Sequence, residues 1–326
     1  MKRSAKLTVG CVATAAFVGA MSYAAAKLIS DVALNREEPK IMTKLKSVMA
    51  GVTPEVRFSK STKEELRLGE ELLRSLETET PVITARDGVS LTGHWCPHPK
   101  PKRIIIAMHG WRSSWTHDFC SIASFWHSEG CSILCPDQRG QQASGGDYMS
   151  FGILERFDCL DWVKWVNEKC GEQLPVYLAG VSMGATTVMM ASELELPQNV
   201  RGILADCGFT TPEAIWRHVA KSNLHIPYTI QKGMVNEMYR RKLNQSSRAC
   251  STTEALKKTR VPVLLIHGTD DRLVPVEMTY RNYIACSAPK KLLIVPGADH
   301  GMSYLTDKKA YQTIMSDFWA DFDNAG

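Results

Sequence analysis

Along most of this chain, short apolar runs alternate with longer stretches whose apolar residues recur three and four apart. Residues 103–108, 131–135, 176–179, 202–205, 261–266 and 291–295 are near-continuous apolar runs bounded by Gly, Pro or polar residues, and they read as buried strands. Residues 81–86 and 89–96 flank Asp87-Gly88, a hairpin-turn dipeptide. Between these runs lie stretches with helical character at about 115–128, 152–168 and 185–194. Alternating strands and helices imply a mostly parallel sheet with helices on both faces.

Two regions break the rhythm. Residues 209–260 carry Trp216, His218, His225, Tyr228, Met234, Met238 and Tyr239 among scattered charges, and no strand. Residues 27–80 look mostly helical. Within them, Leu66, Leu72, Leu73 and Leu76 recur at helical spacing, the pattern of an amphipathic helix packed on a domain. Ahead of both, Lys2, Arg3 and Lys6 precede an uncharged stretch over 7–26. About 20 such residues can span a bilayer, and the stretch exceeds the usual signal-peptide core. A signal anchor over 1–26 is therefore expected, with a signal peptide cleaved near Ala24-Ala25-Ala26 as the alternative. Because basic residues stay on the cytoplasmic side, a membrane-bound and extracytoplasmic enzyme follows, or a secreted one. Cys11 lies too early in the run to mark a lipoprotein.

The candidate chemistry sits where strands end. Val176-Tyr177-Leu178-Ala179 runs into Gly180-Val181-Ser182-Met183-Gly184 and then into a helix. A Gly-x-Ser-x-Gly turn between strand and helix exposes a serine hydroxyl at the edge of a sheet. Such a hydroxyl needs a base, and the base needs a group to orient it. Downstream, the run over 261–266 ends in His267-Gly268-Thr269-Asp270-Asp271, and the run over 291–295 leads to Pro296-Gly297-Ala298-Asp299-His300-Gly301. Acid and histidine both follow strand ends, the edge where open parallel sheets gather their ligands.

With the His109-Gly110 turn, the Asp137-x-Arg139-Gly140 turn and the His267 to Pro275 segment added, the chain from about Pro81 onward resembles the α/β-hydrolases. It is most similar to their serine aminopeptidase-like and dienelactone-hydrolase-like branch, including bacterial membrane-anchored members. The resemblance implies an eight-stranded, mostly parallel sheet with helices on both faces and a helical cap over about 209–260. Domain boundaries at 1–26, 27–80 and 81–326 follow. It implies Ser182 as nucleophile, Asp271 as acid and His300 as base. The backbone N–H groups of Met183 and Trp111 would form the oxyanion hole. Asp270, Asp299 and Asp206 compete for the acid role. They read respectively as a turn cap, a loop hydrogen-bonder and a minor alternative. His109 and His267 read as structural, and Arg139, Ser144, Gly145 and Gly146 as loop-shaping.

Composition trims the remaining options. A net charge of +5 with no Lys/Arg stripe interleaved with aromatics gives no case for nucleic acid. The ten cysteines have no metal-ligand spacing. They read as buried small hydrophobes, which suits a reducing compartment, pulls against export and keeps a cytoplasmic location as a further alternative. The expected activity is ester cleavage through an acyl-enzyme, with a small-molecule or peptide-like acyl substrate and no metal or organic cofactor required. An aminopeptidase, amidase or acyltransferase would use the same triad. An aminopeptidase would need an acid near the pocket, for which Glu213 and Glu237 are the candidates. A binding module with a dead site is the reading from another class.

Overall fold

The computed structural model describes residues 19–40, 59–223 and 228–323. Eight strands form one sheet: β1 (Val82–Thr84), β2 (Ser90–Cys96), β3 (Arg103–Met108), β4 (Cys131–Pro136), β5 (Val176–Val181), β6 (Val200–Asp206), β7 (Val263–Gly268) and β8 (Lys290–Val295). Their order is β1-β2-β4-β3-β5-β6-β7-β8. β1 pairs antiparallel with β2 and β2 with β4, and every later pairing is parallel. This is the α/β-hydrolase fold.

The strand sequences explain the sheet's two dry faces. Successive side chains of a strand point to opposite sides. Ile104, Ile106 and Met108 of β3 pack with Leu134, Leu178 and Trp162 on one face. Ile105 and Ala107 pack with Ile133, Tyr177, Phe318 and Trp319 on the other. A strand buried on both faces needs an unbroken apolar run, which is how β3, β4, β5 and β7 read in the sequence.

Helices cover both faces. They are α1 (19–34), α2 (Lys60–Leu76), α3 (Trp115–Phe119), α4 (Ala123–Ser128), α5 (Glu155–Cys170), α6 (Met183–Ala191), α7 (Pro212–His218), α8 (Tyr228–Leu243), α9 (Thr252–Lys258), α10 (Val276–Ala285), α11 (Ser303–Thr306) and α12 (Lys308–Phe322). The single helix expected over 115–128 is two short ones, α3 and α4. α2 starts at an N-cap, where the Ser59 hydroxyl accepts from Thr62 N at 3.0 Å. It buries Leu73 and rests Leu66 and Leu76 on the second face of the sheet. The break over 209–260 contains α7, a π-helical turn at Val219–Asn223, α8 and α9. His225 of that segment lies outside the described residues.

The helix at the start of the described residues does not span a membrane. Among the described residues, no helix is long and apolar enough to cross a membrane, so the transmembrane and signal-anchor reading is withdrawn. Residues 1–18, with Cys11 and the basic start, lie outside the described residues. α1 itself has one apolar face. Ala26, Ile29, Ser30, Ala33 and Leu34 are buried, while Met21 and Tyr23 are 58 % and 55 % exposed. That spacing of three and four is the signature of a helix lying on protein. Its apolar face joins Phe151, Phe209, Trp216 and Tyr239 in a third apolar cluster. Lys27 and Asp31 pair with each other one turn apart on its flank. The nine described cysteines are unpaired, and all but Cys170 are buried.

One close approach fixes the strand–helix turn at Ser182. A Cβ on Gly184 would fall 1.8 Å from the carbonyl oxygen of Met108, and one on Gly180 would fall 2.3 Å from the carbonyl carbon of Gly184. α6 therefore lies against β3 and β5 at a distance only glycine permits. Gly184→Ala is expected to destabilise the protein by about 3 kcal/mol or more, read by thermal denaturation. A melting temperature within two or three degrees of the parent would contradict this packing.

Candidate active site

Ser182 occupies the turn between β5 and α6 at φ 57°, a left-handed value uncommon for a residue with a side chain. Its N–H donates to Asp206 O at 2.9 Å, which ties the turn to the neighbouring strand. His300 stands in the loop after β8, between the left-handed glycines Gly297 and Gly301. Its Nε2 lies 2.9 Å from Ser182 Oγ and its Nδ1 lies 2.7 Å from Asp271 Oδ2. A carboxylate only accepts, so Nδ1 carries the proton. Nε2 is then free to accept from the serine hydroxyl.

Asp271 is fully enclosed and well provided with donors. Its Oδ1 accepts from Leu273 N at 2.9 Å and Val274 N at 2.8 Å, and its Oδ2 from His267 Nε2 at 3.0 Å. Burial by itself would raise the carboxyl. The hydrogen bonds from His267 and His300, the charge of His300 and the Val274 amide outweigh burial and hold it well below the usual carboxylate range. His267 Nε2 also lies 2.9 Å from Val274 O, and its Nδ1 lies 2.6 Å from Thr279 Oγ1. This buried imidazole at the end of β7 thus clamps the loop of Asp271, which gives its structural reading a specific set of partners.

The competing acids do different things. Asp270 is exposed and accepts from its neighbour Thr269. Asp299 Oδ1 accepts from His300 N at 2.7 Å and so shapes the histidine loop. Asp206 accepts from Ser303 Oγ at 3.1 Å. Burial raises the Asp206 carboxyl above its usual range, partly offset by His267 and Ser303. None of the three bonds the ring of His300. Glu213 pairs with Arg217, Lys232 and Arg248, and the exposed Glu237 with Arg240 and Arg241. Arg139 bridges Asp158 and Asp87 beneath the loop over 141–148.

The loop after β3 arches over Ser182. A Cβ on Gly110 would stand 3.5 Å from Ser182 Cβ. The buried carboxylate of Asp118 accepts from Gly110 N at 2.6 Å and from Ser113 Oγ at 2.5 Å. His109 is fully buried. Its Nδ1 donates to Gly110 O at 2.8 Å and its Nε2 accepts from Gln138 N at 3.1 Å, and burial lowers its affinity for a second proton. It braces the loop and makes no contact with the Ser182 hydroxyl. Trp111 and Met183 flank Ser182, Met183 as the first residue of α6, where helix amides lack partners within the helix.

Two cavities meet at Ser182, Trp111 and Leu273. One, of about 320 Å³, runs under α1 and α7. The other, of about 560 Å³, opens past His300 toward Lys63, Arg67, Glu70 and Arg112. Neither Glu213 nor Glu237 lines either one. Phe151 lines the first cavity at φ 58°. The Glu155 carboxylate holds its backbone by accepting from Ser150 N at 2.6 Å and Gly152 N at 2.8 Å. Nothing in the local sequence marked Phe151 as a pocket residue. Among the described residues, Cys207, Asp271 and His300 have metal-capable atoms within 4.8 Å of one another. The carboxylate and imidazole there are already bonded to each other, and burial pushes the Cys207 thiol well above its usual range, which disfavours the thiolate a metal would need.

Known proteins share this architecture. The protein YqkD of Bacillus subtilis is 26% identical over 252 residues, covering 76% of this chain and 81% of its own. A bifunctional esterase/perhydrolase of Acinetobacter calcoaceticus is 24% identical over 258 residues, covering 68% and 92%. The solved structure of an esterase from Pyrococcus furiosus superposes with a TM-score of 0.61 at 22% identity, covering 84% of this chain and 98% of that one. Residues 104–311 match the alpha/beta hydrolase family, and the chain belongs to that family.

Proposed function

We propose that this protein is a serine hydrolase that cleaves carboxylic esters through an acyl-enzyme. The observation that carries the reading is the hydrogen-bonded run from Asp271 through the His300 ring to Ser182 Oγ. The His300 ring takes the hydroxyl proton as Oγ attacks the ester carbonyl. Asp271 holds the ring in the required tautomer and stabilises its cation. Charge developing on the carbonyl oxygen is met by the N–H groups of Met183 and Trp111. The His300 cation then protonates the departing alkoxide, and the acyl group stays on Oγ. Water enters and loses a proton to His300 as it attacks the acyl carbon, and the His300 cation returns that proton to Ser182 Oγ as the acyl–oxygen bond breaks and the acid leaves. Every step uses groups of the chain itself. The esterase among its relatives is in keeping with the reading.

An aminopeptidase would need a carboxylate to hold the substrate ammonium. Glu213 and Glu237 are paired with cations elsewhere, Glu70 lies on the wider cavity on the His300 side, and the side chains described around the cavity under α1 are aliphatic or aromatic apart from Ser182. An unpaired ammonium there would cost several kcal/mol. kcat/KM for p-nitrophenyl butyrate is therefore expected to exceed that for alanine p-nitroanilide by about a hundredfold or more. The reverse order would overturn the ester assignment. Failure of a fluorophosphonate to label Ser182 would overturn the hydrolase itself.

A further inference from the structure

The two cavities that meet at Ser182 differ in chemistry, and the reaction assigns them different halves of the substrate. His300 lines only the wider cavity. The leaving alcohol takes its proton from His300 Nε2, so it departs on that side. The carbonyl oxygen points toward Met183 and Trp111. One direction remains for the acyl chain, and it leads into the 320 Å³ cavity.

Apart from Ser182 itself, every side chain lining that cavity is hydrocarbon or aromatic. Phe151, Phe209 and Trp216 form part of one wall, and Leu28, Ile29 and Val32 of α1 form the other. Among the described residues, no charged side chain lines it to receive a charged acyl group. At about 30 Å³ for a group the size of water, the space holds roughly ten methylenes. The far side, with Lys63, Arg67, Glu70, Arg112 and His117, can accept a polar alcohol.

α1 is anchored as a wall. The Trp111 indole donates to Ala33 O at 2.9 Å, and the Arg112 guanidinium donates to Val32 O at 3.1 Å and Asn35 O at 2.7 Å. These bonds satisfy carbonyls at the helix's C-terminal end, which lack partners within the helix. Lys242 of the cap reaches Asp31 at 2.7 Å. At the helix's last residue Met149 N donates to Leu34 O at 2.7 Å, and beyond it Arg36 N donates to Asp147 O at 2.8 Å. Trp111 thus contacts both the nucleophile's cleft and the helix that walls the pocket.

We propose that this cavity holds the acyl chain of the substrate, an uncharged aliphatic chain of about ten carbons, and that Leu28, Ile29 and Val32 of α1 set its length. The assignment rests on the ester-hydrolase reading. The test is kcat/KM for p-nitrophenyl esters of two to sixteen carbons, with the full chain and with Val32→Trp. Each added methylene should raise kcat/KM by about fourfold until the pocket is full near ten carbons, after which it falls. Val32→Trp should move the optimum to shorter chains and lower the decanoate-to-acetate ratio by tenfold or more. A parent profile that is flat or peaks at acetate would overturn the proposal. So would a variant that depresses all chain lengths by one factor. If Val32→Trp does not fold, Leu28→Ala should move the optimum to longer chains, and an unchanged optimum would overturn the assignment. Calorimetric titration of the Ser182→Ala protein reads the cavity without turnover. Decanoate should bind and butanoate should not, and absence of decanoate binding would overturn the pocket. Esters that go unhydrolysed while decanoate still binds would fault the reaction instead.

Discussion

Ser182→Ala is expected to lower kcat for p-nitrophenyl butyrate by a factor of about 10⁶ while leaving the fold in place. The reason lies in the position of a single oxygen. Ser182 Oγ is the atom that Nε2 of His300 reaches at 2.9 Å, and it stands where both cavities meet. Alanine keeps the Cβ and makes the same demand on the left-handed backbone at φ 57°, so the turn has no new strain to absorb. The lost hydrogen bond is partly exposed through His300, and its removal should move the melting temperature by only a few degrees. Circular dichroism and steady-state kinetics on the same preparation decide the matter. Activity within tenfold of the parent, on folded protein, would remove Ser182 from the chemistry.

Asp271→Asn should cost about 10⁴ in kcat, by way of the histidine. An asparagine can turn its carbonyl oxygen toward Leu273 N and Val274 N, where Asp271 Oδ1 sits at 2.9 and 2.8 Å. Its amide hydrogens then face Nδ1 of His300 and Nε2 of His267, which both donate to the carboxylate. Relief for His300 comes from moving its proton to Nε2, and the atom facing Ser182 ceases to be a base. His267 retains Val274 O as an acceptor, so the cost in stability should stay near 1–3 kcal/mol. The pH dependence of that cost has a definite sign. The Asp271 carboxyl titrates below its unfolded value. The stability it contributes is therefore complete above about pH 4 and is lost as the pH falls through the folded pKa. The gap in melting temperature between parent and variant should narrow below pH 4. A gap that widens in acid would contradict the bonding at this carboxylate, and full activity in Asp271→Asn would give the acid role to another residue.

The strand list was legible because its cause is local. β3, β4, β5 and β7 are buried on both faces, and a run such as Ile104-Ile105-Ile106-Ala107 suits little else. The turn at Ser182 was legible for the same reason, since Gly180 and Gly184 mark a close approach written into five consecutive residues. The positioning residues were harder to see. His267 sits at i−4 from Asp271 at a strand end, and that spacing was the available signal. Asp118 holds Gly110 from eight residues away, and Phe151 enters the pocket through a left-handed backbone held by Glu155. Neither depends on any repeating pattern. The break between α3 and α4 falls in a stretch whose apolar spacing alone would sustain one helix.

By itself the sequence determined the order of strands and helices and the loops that carry Ser182, Asp271 and His300, because backbone sterics and side-chain alternation act over a few residues. It could not determine what the helix over residues 19–34, which includes the end of the N-terminal apolar stretch, would pack against. An uncharged segment satisfies lipid and protein surface alike, and the choice depends on whether a complementary face exists elsewhere. Only the tertiary structure supplied that face. Phe151, Phe209, Trp216 and the cap lie far along the chain, and Ala26, Ile29, Ala33 and Leu34 turn toward them. Burial against distant partners is what makes the helix that follows this stretch, through Leu28, Ile29, Val32 and Ala33, a wall of the cavity beside Ser182.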